Sequence, residues 1–162
     1  DLTLFRGRPV FVPGFAGPPE LARLAPPQAL AFLARRARGG DVHAKLLYGV
    51  ALQRLGRSVS AEREFRAAAT LAPRDPEARV AAAVGLFVKS DPSRAFSRLG
   101  PLVRTFPHAA TVRFHLGLLL LWLGQAAQAK DELAMARADA PQSILGREAN
   151  RFLQRLAGIG TS

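Results

Sequence analysis

Apolar residues recur along this chain at intervals of three and four, the spacing that collects them on one face of a helix. Tyr48, Leu52 and Leu55 share such a face, as do Leu116, Leu120 and Leu123. A second kind of face, with smaller residues, runs through Ala61, Phe65 and Ala68 and again through Ala129, Leu133 and Ala136. The pattern predicts helix–turn–helix hairpins, each with one apolar side. Such a hairpin is stable only when stacked on a neighbour.

The pattern repeats. Pro73, Pro107 and Pro141 stand 34 residues apart, and Ala61, Ala95 and Ala129 and Leu52, Leu86 and Leu120 keep the same interval. Gly49, Ala83 and Gly117 form a small-residue column midway along each first helix, where a second helix needs room to approach. Gly56, Ser90 and Gly124 fall where the first helix should end, in a left-handed or polar cap. The prolines follow the second helix and stop it, because proline lacks the N–H a continuing helix needs.

The middle repeat is irregular. Leu102 occupies a small-residue column, and Gly100-Pro101 lies inside the second helix, predicting a kink or break near Gly100. Asp91-Pro92 reads as a helix start, a capping side chain followed by proline. Residues 27–38 read as a helix closed by Gly39-Gly40. Ser143 to Ala157 reads as a capping helix, with Leu145, Ala149, Phe152, Leu153 and Leu156 inward and Arg147, Arg151 and Arg155 outward.

Composition narrows the chemistry. With no cysteine there is no disulfide, zinc knuckle or thiol nucleophile. His43, His108 and His115 lack metal-site spacing and read as scattered structural histidines. No Gly-rich phosphate loop, Gly-x-Ser-x-Gly elbow or His-Glu-x-x-His occurs, so no catalytic residue, metal or cofactor is assigned. Glu62, Glu64, Asp131 and Glu132 sit near helix starts, where they complement the dipole. The net charge of +11, from 20 Arg and 3 Lys against 12 acidic residues, admits an anionic partner. The arginines are spread along the chain, which favours composition bias and disfavours nucleic acid. The longest apolar run, Leu116 to Leu123, is too short to cross a bilayer. A chain that begins at Asp1 reads as a processed or trimmed fragment. Two compartments then stay open, a bacterial cytoplasm or a cell envelope reached through an anchor upstream.

The columns resemble the tetratricopeptide-repeat family. Its small, Gly, Ala, aromatic and Pro positions match Gly49, Gly56, Ala61, Phe65, Ala68 and Pro73 in the first repeat, and Gly117, Gly124, Ala129, Leu133, Ala136 and Pro141 in the third. The large aromatic expected early in each first helix is absent; Lys45, Arg79 and Arg113 stand there. The resemblance implies an all-α, right-handed α-α superhelix, a helical-repeat solenoid preceded by an extended, Pro/Gly-rich N-terminal segment. The expected organisation is 1–17 extended segment, 18–41 N-terminal helix or half-repeat, 42–143 three repeats (42–75, 76–109, 110–143), and 144–162 capping helix and tail.

In this family the first helices line a concave groove. The matching positions here are His43, Leu46, Val50, Gln53 and Arg54; Glu77, Val80, Val84, Phe87 and Val88; and Thr111, Phe114, Leu118, Leu121 and Trp122. The family's clamp for acidic peptide C-termini needs Lys and Asn where Leu46 and Val50 stand, so that ligand is disfavoured. What remains is an apolar trough with Phe87, Phe114 and Trp122 as anchors. The expected function is a non-catalytic protein–protein interaction scaffold that binds an apolar peptide segment in this groove. The alternatives are an Arg-rich convex surface for nucleic acid or another anionic partner and a self-associating module, a homodimer through the groove or N-terminal segment. The N-terminal segment (Leu2, Leu4, Phe5, Val10, Phe11, Val12, Phe15) is too apolar for a free tail. It is expected to lie in the trough, its own or a neighbour's, as a built-in peptide, or else to pack on the first helix or stay disordered.

Overall fold

A computed structural model describes residues 8–159. A stretch without helix leads from Arg8 into a 3-10 turn, Pro19–Arg23. Helices α1 (Pro26–Arg38), α2 (Val42–Arg54), α3 (Ser58–Leu71), α4 (Pro76–Val84), α5 (Ser93–Leu99), α6 (Leu102–Thr105), α7 (Ala110–Trp122), α8 (Ala126–Asp139) and α9 (Ile144–Ile159) follow. The architecture is all-α, with helices in antiparallel pairs stacked as a helical repeat. Among the described residues, β pairing is limited to an isolated bridge between Val88 and Asp91.

The periodic residues act at the helix ends. α2 and α7 both close on a glycine with positive φ, Gly56 at 76° and Gly124 at 80°. Beyond each glycine the next N–H reaches back to the helix, Arg57 to the Leu52 carbonyl and Gln125 to the Leu120 carbonyl, both at 2.9 Å. These bonds satisfy carbonyls a helix end would leave bare. The second helices stop at Leu71, Thr105 and Asp139, each two residues short of its proline. The small-residue column works as expected: a Cβ on Gly49 would run into the Phe65 ring, and one on Gly117 would meet Leu133 Cγ at 2.8 Å.

The middle hairpin departs from its neighbours at both helices. The expected break falls at Gly100-Pro101, where α5 gives way to α6. α5 begins at Ser93, one residue later than the cap reading; the Asp91 carboxylate accepts from the Ser93 hydroxyl, while its carbonyl takes the Arg94 N–H. α4 is also one turn shorter than α2 and α7. It stops at Val84, and the chain tightens through Leu86 N–H to the Ala83 carbonyl and Phe87 N–H to the Val84 carbonyl. Phe87 and Val88 therefore stand beyond the helix on which their repeat position placed them, and Ser90 lies in the following turn instead of ending α4.

Two apolar clusters form the core. One joins α2 to α7 around Phe65, Val80, Val84 and Phe87 and includes Phe11 from the N-terminal stretch. The other joins α7, α8 and α9 around Phe114, Leu133 and Leu145. On α9, Leu145, Ala149 and Leu156 are buried, Phe152 and Leu153 half-buried, and Arg147, Arg151 and Arg155 exposed. Gly146 is packed so tightly on the Ala140 carbonyl that a Cβ there would overlap it.

Candidate functional site

The faces of α2, α4 and α7 expected to line a trough lie against the chain's own N-terminal stretch. Residues 8–17, here called the strap, run along them from Arg8 beside Ser58 and Phe87 to Phe15 on His43. Phe11 is the anchor at 1% exposure. Its ring stands edge-on to Phe65 at 5.5 Å and stacks on His115 at 5.3 Å. Phe15 stacks on His43 at 4.1 Å, and the Arg8 guanidinium lies 6.0 Å from the Phe87 ring while donating to its carbonyl. Burying one such phenyl ring stabilises by about 2–3 kcal/mol. Leu2, Leu4 and Phe5 fall outside the described residues.

Main-chain pairing adds to this packing. Gln53, near the end of α2, accepts the Phe11 N–H at 3.0 Å and returns its amide N–H to the Phe11 carbonyl at 3.3 Å. His115 Nε2 accepts the Val12 N–H at 2.9 Å. Glu77, in the first turn of α4, accepts the Gly14 N–H, and Gly14 suits this contact because a Cβ would overlap that carboxylate. Pro9 and Pro13 bring no N–H to be satisfied.

Thr111 ties these acceptors together. It lies one turn before His115 on α7, so the two share a face. Its carbonyl takes the proton of His115 Nδ1 at 2.7 Å, and its hydroxyl donates to Glu77 Oε2 at 3.1 Å. Burial pushes the His115 imidazole down to about 4, with the Thr111 carbonyl opposing, so the ring is neutral with a free acceptor at Nε2. Burial pushes the Glu77 carboxyl up to about 7, opposed by the hydrogen bonds from Gly14 and Thr111.

The lining residues read from the sequence divide into three groups. Leu46, Val80, Val84 and Phe87 are buried in the same cluster as Phe11, and Trp122 packs half-buried on Phe87 with centroids 4.9 Å apart. Leu118 lies beside Val10 in the same trough, and Val88 is half-buried in the turn after α4. Phe114 and Leu121 instead pack into the second cluster, with Phe114 against Phe152 of α9 at 6.0 Å. Val50 is buried in the Phe11 cluster and also borders an open cleft beside the strap, which exposed Arg54 lines. His115 is the residue that sequence reasoning missed, and its role is fixed by a partner 103 positions away.

No family model matches the sequence, and no curated protein matches it. Among solved structures, the chain is similar to one titled "MamA RS-1 ArsTM double mutant", with a TM-score of 0.53 and 22% identity over 88% of this chain and 90% of that one. MamA is a tetratricopeptide-repeat protein. With its paired helices, its 34-residue columns and this match, the chain has a tetratricopeptide-like helical-repeat fold.

Proposed function

We propose that the chain is a non-catalytic protein-interaction scaffold whose concave face holds an extended apolar peptide. Gln53, Glu77 and His115 read the peptide main chain, and the space between Phe65 and His115 takes an aromatic side chain. The observation that carries this reading is the hydrogen bonding. A helical face has spent its backbone groups and ordinarily offers an extended segment no partners. Here three side chains from three successive first helices supply them to Phe11, Val12 and Gly14. The strap is then the built-in occupant of a peptide site, and the repeat fold fits an adaptor.

The test uses a chain lacking residues 1–17 and a synthetic peptide of residues 8–17. The shortened chain should bind more of a hydrophobic dye, and the peptide should bind it one to one and displace the dye. An unchanged dye signal, with no peptide binding by a folded chain, rejects the reading.

One observation favours a second reading, an anionic partner on the convex side. The shortened α4 and broken α5–α6 leave a crevice of about 390 Å³ framed by Arg66, Arg79, Arg98 and Glu62. Binding there should weaken steeply with salt, whereas groove binding should survive it.

A further inference from the structure

One repeat column changes sign in the middle hairpin. On the third hairpin Arg113 of α7 pairs with Glu132 of α8 at 3.2 Å, the two side chains at 18% and 19% exposure. One repeat earlier the same two columns hold Arg79 and Arg98, and one repeat earlier still Lys45 and Glu64. The first and third hairpins thus match a cation with a carboxylate, and the second matches a cation with a cation. Arg79 and Arg98 line one crevice of about 390 Å³ with Arg66 of α3 and a single carboxylate, Glu62. Among the described residues none of these four forms an ion pair. Arg79 spends one N–H on the Pro73 carbonyl at 2.9 Å and keeps the others unspent. The floor of the crevice is apolar. Leu86 belongs to the column whose other members, Leu52 and Leu120, are buried on their helices, but α4 has already ended, and Leu86 lies half-buried in the crevice beside Leu102.

We propose that this crevice binds a phosphomonoester with an apolar ester group, its phosphoryl oxygens between Arg79 and Arg98, where the third hairpin has the Glu132 carboxylate. Charge decides among anions. Three guanidiniums and one carboxylate leave two positive charges over. A carboxylate ligand cancels one of them, whereas a phosphomonoester carries close to two negative charges at neutral pH. Guanidinium forks also match phosphate oxygens in pairs. The crevice has more room than a phosphoryl group fills, and Leu86 and Leu102 suit the apolar remainder. A free phosphomonoester and a phosphorylated side chain share this chemistry. The proposal rests on the anionic reading of the crevice and can fail separately from it: a crevice that takes carboxylates as readily as phosphates keeps that reading and loses this one.

The experiment titrates phenyl phosphate, inorganic phosphate and benzoate into the whole isotope-labelled chain at neutral pH and low salt, following amide shifts by NMR. Phenyl phosphate should shift amides around Arg79, Leu86 and Arg98 and bind at least about tenfold tighter than benzoate, which forgoes a charge-assisted hydrogen bond. Inorganic phosphate should shift the same amides but bind more weakly, for want of contact with Leu86 and Leu102. Arg98→Glu gives the second hairpin the acid that the third already has. That chain should unfold no more easily than the parent and lose phenyl phosphate binding. Arg98→Gln, should the reversal fail to fold, should weaken binding at least about fivefold. Arg155→Gln, exposed on α9, should leave it unchanged. A capped phosphotyrosyl peptide that binds tighter than phenyl phosphate assigns the site to a modified side chain of a partner, and one that binds no tighter assigns it to a free ligand. Benzoate binding as tight as phenyl phosphate overturns the proposal and spares the anionic reading, whereas no binding of any of the three anions overturns both. Phenyl phosphate binding unchanged in the Arg98 variants overturns the proposal too.

Discussion

The backbone N–H of Val12 points at Nε2 of His115 from 2.9 Å, and the imidazole can accept it only because its own proton goes to the Thr111 carbonyl on the other side. Protonating the ring would set two N–H groups against each other and loosen the strap beside its best-buried residue, Phe11.

A pH dependence follows, with two opposed components. His115 is held at about 4 in the fold against 6.5 when unfolded, so its contribution is full above 6.5 and is lost as pH falls from 6.5 toward 4. Glu77 is raised to about 7 from 4.5, so the fold keeps a proton that the unfolded chain releases. Its contribution is full below 4.5 and is lost as pH rises toward 7. Each slope reaches about 1.4 kcal/mol per pH unit, and between 4.5 and 6.5 they cancel. Relative to the parent chain, Glu77→Gln should gain stability with rising pH in that window and His115→Phe should lose it. Urea midpoints at several pH values measure this; slopes of the same sign in both variants would refute it.

Phe11→Ala empties the space between Phe65 and His115. The expected loss is about 3 kcal/mol in chemical unfolding, accompanied by a rise in hydrophobic-dye fluorescence as the trough opens. A loss in stability without added dye binding would mean that the strap stays seated.

Gly49→Ala should cost about 1–3 kcal/mol through overpacking on the Phe65 ring. Adding Phe65→Leu recreates the pairing that the third repeat uses, Gly117 with Leu133, around a side chain that can shift. The double variant should therefore pay less than the sum of the two single losses. Additive losses would place the clash elsewhere.

Gly146→Ala drives a methyl group into the Ala140 carbonyl and should destabilise by at least about 2 kcal/mol, read as a lower thermal midpoint. Gly158→Ala, on the same helix with open space around it, should be neutral or gain up to about 1 kcal/mol from helix propensity.

Features set by local chemistry could be read from the residues themselves. The glycines closing α2 and α7, the prolines two residues past each second helix and the break at Gly100-Pro101 need only neighbouring backbone to act. The strap's place in the trough was one of several outcomes that its apolar content allowed. Features set by distant contacts were not legible. Nothing around His115 announces an acceptor for Val12, and nothing around Gly146 announces the Ala140 carbonyl. Extrapolating the repeat failed at α4, where Gly85 and the Val88–Asp91 turn end the helix before Phe87. It also did not foresee that Phe114 and Leu121 pack into the cluster shared with α9.

Because Phe11 and its receptacle belong to one molecule, the proposed peptide site would set any outside peptide against a tethered rival. A short covalent tether of this kind holds its end at an effective concentration on the order of millimolar. A visitor that merely equals the resident sequence must be supplied at that level to win half the molecules. At cellular abundance, admission is limited to ligands that bind much better or that first gain a foothold beside the tether.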